Sequence, residues 1–288
     1  MLIDTHAHLY WDDFKEDLDQ LIQRSLDAGV ATIINVGVDV KLSKKALQQV
    51  EGKLANTPTF SAYSTIGIHP HEAVKYLTSK DVSIHEDIRE LEQIYQGNPK
   101  KVVAIGECGL DYYFDRNDIH HDAPLPDDQI KDMQRKLFQA QIDLAKKLNL
   151  PLIVHCRDNR SKNATNSEAW DEVLKMVGTH PTILHCYSGL SHITNYVLQT
   201  TNLLVSFAAT LTYPKNEYLR EAANLLPLEK IVLETDCPFL PPQSKRGTRN
   251  EPSTVLELAQ LIAQLKGLSL EEVKRQTTAN VKLILKLN

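Results

Sequence analysis

Imidazoles and carboxylates recur at the ends of apolar runs along this chain of 288 residues. The first run closes on Asp4-Thr5-His6-Ala7-His8. Residues i and i+2 of a strand share a face, so His6 and His8 can offer ring nitrogens to one metal ion. An H-x-H pair alone is as readily incidental. Glu107, His155, His185 and Asp236 change that reading, because each stands at or just after the end of a different Val/Ile/Leu-rich run. A carboxylate at an apolar strand end is costly unless it is paired or bound to a metal. Four imidazoles and two carboxylates are the ligand set of Zn²⁺ and other divalent transition metals. Six groups are too many for one tetrahedral ion, and two ions with a shared carboxylate use them all. Two ions about 3.5–4 Å apart can lower the pKa of a shared water and clamp both oxygens of a displacement. Asp236 has one oxygen for a metal and a second to orient that water and accept its proton.

Phosphate chemistry would need further cations. Arg157 follows His155 by two residues and would share its face, and a planar guanidinium suits phosphate oxygens. The alternative is a surface arginine paired with Asp158 or a helix end. Lys245, Arg246 and Arg249 form a basic cluster that could track a nucleic-acid backbone. They could equally be solvated loop charges, with Arg249 paired to Glu251. Tyr112, Tyr113 and Tyr187 lie just beyond ligand positions and could stack bases or pack loops. Asp111 suits the orientation of a ligand or loop better than the role of an acid. His69 and His71 add imidazoles near the same rim, with Pro70 shaping a turn between them. His120 and His121 fall in a polar loop and are not counted as ligands. Cys108, Cys156, Cys186 and Cys237 each directly follow a proposed ligand. Strand alternation sends all four thiols away from the metals, as small apolar groups.

The elements that must carry these residues are legible as eight apolar runs: Leu2–Thr5, Val30–Val36, Phe60–Ile68, Val102–Gly106, Pro151–His155, Thr182–His185, Leu203–Phe207 and Ile231–Glu234. Nearly continuous apolar runs suit strands of a parallel sheet buried on both faces. Helical stripes lie between them, for example Met133, Leu137, Ala140, Leu144 and Leu148, and Ser269 to Glu272 reads as a capping box. Eight strand–helix units in 288 residues average 36 residues each, which fits a (β/α)8 TIM barrel in one domain over residues 1–288. The ligand residues then ring the C-terminal face of the strands. An open doubly wound sheet is the alternative, weakened by the lack of G-x-G-x-x-G after the first run. Two polar stretches, 111–127 and 158–167, are long for strand–helix loops.

Composition narrows the function classes. The net charge is −5, against a protein that coats nucleic acid through bulk charge but not against one that cleaves it. No run reaches the roughly 18 apolar residues of a membrane span. The first residues lack the basic and apolar regions of a secretory signal, and four cysteines make no disulfide scaffold. A cytoplasmic protein with no membrane association and no obligate protein partner is expected.

The motifs DTHAH (4–8), GIHPH (67–71), GECGLDYY (106–113), VHCRD (154–158), LHCYSG (184–189), ETDCPFL (234–240) and RGTRNEP (246–252) occur in one order over nearly the whole chain. The sequence resembles the TatD family of metal-dependent deoxyribonucleases, within the amidohydrolase-like barrel superfamily. The resemblance implies a first metal on His6, His8 and Asp236, a second on His155 and His185, and Glu107 as the bridge. It favours His69 as a phosphate contact and implies DNA as substrate, cleaved as a 3′→5′ exonuclease. The metals would be two divalent ions from among Mg²⁺, Mn²⁺, Zn²⁺, Co²⁺ and Fe²⁺. An amide or lactone hydrolase would use the same water activation without phosphate cations, and a metal-binding scaffold would use no catalysis at all. The chain departs from the family pattern at Tyr10-Trp11 and in its two long loops.

Overall fold

The apolar runs form eight parallel strands: β1 (Leu2–Ala7), β2 (Val30–Asn35), β3 (Ser61–Ile66), β4 (Val102–Asp111), β5 (Leu152–Arg157), β6 (Thr182–Leu184), β7 (Leu203–Phe207) and β8 (Ile231–Leu233). The structure is a computed structural model and describes residues 1–55, 57–113, 125–159 and 165–287. Strands pair in chain order from β1 to β8. The ring closes through a short junction rather than a ladder. Ala7 bridges Cys237, the Asp236 N–H donates to the His6 carbonyl at 2.8 Å, and the His8 N–H donates to the Cys237 carbonyl at 2.9 Å. The segments that carry three proposed ligands are thus the ones that close the barrel. This is the (β/α)8 architecture, with strand ends that differ from the apolar runs. β4 continues four residues past Glu107, because Cys108 to Asp111 pair in register with Val154 to Arg157. β6 and β8 stop before His185 and Asp236.

Helices alternate with the strands: α1 (Leu18–Asp27), α2 (Val40–Glu51), α3 (Lys75–Thr78), α4 (Ile84–Gly97), α5 (Asp127–Leu148), α6 (Glu168–Val177), α7 (Ser191–Gln199), α8 (Glu217–Leu225), α9 (Val255–Lys266) and α10 (Leu270–Ile284). Ser269 caps α10 by accepting the Glu272 N–H. Side chains inside the barrel, among them Ile3, Ile34, Val103, Ile153, Ile183, Leu204 and Val232, form one apolar cluster. Val281 of α10 and Leu285 just after it join it. Asn280 also donates to the Leu228 and Ile231 carbonyls, so the last helix covers the N-terminal ends of the strands. A much larger cluster fills the layer between strands and helices. No described helix is long and apolar enough to cross a membrane. The two long polar loops lie partly outside the described residues, and His120 and His121 wholly so.

Two buried glutamines on α5 act on the site from behind. Gln134 accepts the Asp111 N–H and donates to the Asp111 carbonyl, both at 2.9 Å. Gln141 does the same to Ile68, at 2.7 and 2.9 Å. They are seven residues apart, two helical turns on one face. One helix therefore fixes the end of β4 and the segment after β3 together.

An ion network ties the segment after β8 to α1. The Asp17 carboxylate accepts from both Arg249 terminal nitrogens, at 2.8 and 2.7 Å, and from Arg24 at 2.8 Å. Arg24 also reaches Glu251 at 2.7 Å. Arg249 and Arg24 hold the Asp17 carboxyl well below the usual carboxylate range. Its contribution is complete above the ordinary Asp value of about 4 and is lost as pH falls through the depressed folded value. We expect Asp17→Asn to cost about 1 kcal/mol at pH 7. The gap in Tm between variant and wild type, measured by thermal unfolding, shrinks as pH is lowered toward 2. A gap that is the same at every pH would show the network contributes through packing alone.

Candidate metal centre

Alternation from Ile3, which faces the barrel interior, would turn Ala7 inward and His6 and His8 outward. The opposite is found. Ala7 packs in the outer layer with Leu9, Phe14 and Leu18, and the two histidines face the site. The β1–β2 register shifts between Asp4 and Ala7, the kind of irregularity that re-aims a side chain. Asp4, fully buried, accepts from the Thr235 hydroxyl at 2.6 Å, the Thr235 N–H at 3.0 Å and the His6 N–H at 3.2 Å. It thereby locks this irregular turn to the segment carrying Asp236. Burial pushes its carboxyl up to about 8, against those hydrogen bonds. On β4, Gly109 has φ +136°, and a Cβ there would lie 2.0 Å from the His155 carbonyl oxygen. Only glycine lets β4 pass this close to the strand that carries His155.

All six sequence-derived ligands converge, and Glu107 is at the centre. Its Oε2 lies 3.3 Å from His6 Nε2 and 3.8 Å from His8 Nε2. Its Oε1 lies 3.0 Å from His155 Nδ1 and 3.4 Å from His185 Nε2. Asp236 Oδ1 is 3.4 Å from His8 Nε2 and 3.8 Å from His6 Nε2. His6 Nε2 and His8 Nε2 are 3.2 Å apart, and the His6 ring stacks on that of His185 at 3.6 Å. Three overlapping groups of possible metal ligands chain these residues together: His6, His8 and Glu107; His6, His185 and Asp236; His69, Glu107 and His155. No cysteine belongs to them.

The donor chemistry fits a metal. The His8 Nδ1–H points to the Val36 carbonyl at 2.9 Å, which leaves a lone pair on Nε2 facing the carboxylates. His155 places Nε2 3.0 Å from Asp111 Oδ2 and turns Nδ1 to Glu107. His185 Nδ1 sits 2.8 Å from Glu234 Oε1, out of line for a hydrogen bond but within ion-pair reach, and turns Nε2 to Glu107. Three imidazoles thus turn one ring nitrogen each to a carboxylate oxygen, an arrangement held together by protons on the rings or by a cation in their place. Electrostatics say the same. Burial opposes charge on Glu107, yet the surrounding imidazoles hold it well below its usual range. Burial also opposes charge on His155 and His185, but Asp111 with Glu107, and Glu234 with Glu107, raise them to about 10 and about 9. A divalent ion supplies that positive charge in place of the protons. The His6–His8 spacing also suits two nitrogens on one ion at bond lengths of about 2.0–2.1 Å.

Asp111 occupies the orienting position expected of it and holds His71 as well, with His71 Nε2 3.0 Å from the same Oδ2. Glu234 and Asp4 were not singled out from the sequence. The rule that flagged Asp236, a carboxylate at an apolar strand end, applies equally to both. Gln134 and Gln141 left no such signal, since each reads as one more polar residue on an amphipathic helix.

The substrate-facing groups sort less evenly. A cavity of about 1030 Å³ opens over the cluster, with His69, His71, Arg157 and Asp236 in its wall. His69 Nδ1 accepts the His71 N–H at 3.2 Å, so its ring hydrogen sits on Nε2. Burial holds its pKa well below the usual value. His69 Nε2 lies 3.5 Å from Glu107 Oε1, at the edge of the cluster. Arg157 lies in the cavity wall with its guanidinium 3.9 Å from the centre of the Tyr113 ring. Asp158 instead accepts the Ala169 N–H. Arg246 stacks over Tyr213 at 4.6 Å, and Arg249 is engaged by Asp17 rather than by Glu251. Neither lines the cavity. Tyr112 and Tyr187 are buried packing residues whose hydroxyls bond Glu172 and Thr194. Cys108 and Cys237 lie in the apolar layers as alternation requires, and Cys156 packs there while also touching the cavity wall. Cys186 departs from it: β6 has already ended, φ is +42°, and the residue reaches the cavity wall.

A parallel-strand barrel with histidines and carboxylates gathered at the C-terminal strand ends is the architecture of a metal-dependent hydrolase. The family described as TatD related DNase matches residues 3–286, and the chain belongs to it. The chain is 34% identical to a Bacillus subtilis protein named uncharacterized metal-dependent hydrolase YabD, over the full length of both. It is 30% identical to the 3′-5′ ssDNA/RNA exonuclease TatD of Shigella flexneri, over 98% of both. The crystal structure of YjjV, a TatD homologue from Escherichia coli, superposes with a TM-score of 0.80 at 25% identity, covering 100% of this chain and 98% of that one.

Outer-shell carboxylates that orient histidine ligands typically account for 10–100-fold in metal affinity. Asp111→Asn and Glu234→Gln should each weaken metal binding by about that factor while leaving circular dichroism unchanged. Glu107→Ala should cost more than either, because both halves of the cluster lose an oxygen. Calorimetric metal titration with elemental analysis reads all three. Wild-type affinity in Asp111→Asn and Glu234→Gln would remove the orienting role.

Proposed function

We propose that this protein is a divalent-metal-dependent nuclease that hydrolyses DNA phosphodiester bonds, working from the 3′ end. The observation that carries the reading is the division of Glu107, one oxygen toward His6 and His8 and the other toward His155 and His185. That is the bridge expected of a two-ion centre. His6, His8 and Asp236 would hold one ion, and His155 and His185 the other. When bound, such a pair activates water and neutralises charge on a phosphoryl group. The imidazole–carboxylate set accommodates Zn²⁺, Mn²⁺, Co²⁺ or Fe²⁺, and Mg²⁺ at lower affinity.

The chain's own groups supply the rest. Asp236 turns Oδ1 to the histidines, so Oδ2 is the oxygen we assign to orienting the water and accepting its proton. His69 donates from Nε2 to a phosphate oxygen. Arg157, propped on Tyr113, offers its fork to the same phosphate. Arg246 and Arg249 are assigned to holding the segment after β8. The relative named as an exonuclease supports the substrate and polarity. The four cysteines form no disulfide, which suits a reducing cytoplasm. An amide or lactone hydrolase would need the same cluster but would leave Arg157 without a purpose.

End-labelled single-stranded DNA should be shortened from its 3′ end in the presence of Mg²⁺ or Mn²⁺, with loss of activity on chelation. Asp236→Asn should lower kcat by about 100-fold or more, and Arg157→Ala should raise KM by about 10-fold. Asp236→Asn with full metal content and wild-type turnover would remove the proton-acceptor role. Hydrolysis of amides or lactones with DNA left intact would replace the nuclease reading.

A further inference from the structure

Two aromatic side chains stand on the cavity rim with their rings open to solvent. Trp11 is 36% exposed and Phe239 50% exposed, and both share the cavity wall with His8, Glu107 and Asp236. Each is tied to a proposed ligand by a turn three residues long. The Trp11 N–H donates to the His8 carbonyl at 3.3 Å, and the Phe239 N–H donates to the Asp236 carbonyl at 2.9 Å. Both residues are therefore anchored to the metal cluster through short backbone turns. They meet edge to face with centroids 6.5 Å apart. Phe239 lies 6.3 Å from the His8 ring, and Trp11 is backed by Tyr10, which is buried.

Large aromatics left open beside polar groups mark binding surfaces rather than packing. The partner they suit is flat and has a π face. The same cavity wall carries groups that suit an anion, Arg157 and the imidazoles. A ligand that carries a planar ring next to an anionic diester matches both.

We propose that Trp11 and Phe239 form a stacking subsite that seats an unpaired nucleobase beside the phosphodiester held at the metal cluster. This rests on the nuclease reading and narrows it. The subsite accepts any base, since every base has a π face, and it requires the base to be out of a duplex. It disfavours a nucleotide that has lost its base.

The chain has two tryptophans, and Trp170 is fully buried, so fluorescence quenching by an added oligonucleotide reports on Trp11. The probes are a single-stranded thymidine tetramer and an abasic tetramer of equal length and charge. Both carry cleavage-resistant phosphorothioate linkages and are titrated into Mg²⁺-loaded protein. The thymidine tetramer should quench and bind at least about 10-fold more tightly than the abasic one. By polarisation of labelled tetramers, Trp11→Leu and Phe239→Leu should bring that ratio close to one, and Trp11→Phe should keep most of it. Equal affinity of wild type for both tetramers, with DNA still cleaved, sinks the stacking subsite and leaves the nuclease reading standing. Failure to bind either tetramer, with no DNA cleavage, sinks the nuclease reading and the subsite with it.

Discussion

Glu107 is a buried carboxylate at the floor of the cavity with imidazoles on both sides, and each imidazole turns a ring nitrogen toward it or toward Asp236. His8, His155 and His185 each direct one ring nitrogen to a carbonyl or carboxylate and the other inward. Desolvating an ion costs on the order of several kcal/mol even after relaxation. Such a cluster is stable only if positive charge is shared among its members. Protons can supply it, and a divalent ion supplies it with better-defined geometry. The barrel's upper face is arranged around that requirement.

The scaffold meets the requirement by fixing backbone rather than adding side chains to the cluster. Asp4 binds the bulged end of β1 to the segment after β8, where the ring closes. Gln134 and Gln141 hold the Asp111 and Ile68 peptides from one face of α5. Gly109 lets β4 run against β5 at the level of His155. The devices act at β1, after β3 and on β4, so the ligands are held from separate points of the ring. That matters because metal geometry tolerates small displacements poorly.

The charge distribution separates binding from support. The chain carries a net charge of −5, and after β8 Arg249 is engaged by Asp17 and Arg246 stacks on Tyr213. On the proposed nuclease reading, affinity for an anionic polymer would come from the cavity itself: the cluster, Arg157 and His69. Such a site would grip one phosphate and its immediate neighbours rather than track a long backbone. The exposed aromatics on its rim fit that short reach.

Alternating apolar runs and helical stripes gave the barrel, because burial on both faces leaves an unbroken hydrophobic signature in each strand. The ligand types gave the metal chemistry, because His6, His8, Glu107, His155, His185 and Asp236 stand where only paired or coordinated polar groups are tolerated. The same local rule covered Asp4 and Glu234, whose partners lie 231 and 49 residues away along the chain in Thr235 and His185. Arg249 shows the limit: its neighbour in sequence is Glu251, yet Asp17 takes it and Arg24 takes Glu251. Which nitrogen of His69 carries hydrogen depended on a backbone turn, and the facing of His6 on a register shift in β1. Residue type and period are local properties and survive in the linear chain. Pairing, tautomer and side-chain direction depend on atoms brought together only when the ring of strands closes, so tertiary structure alone decided them.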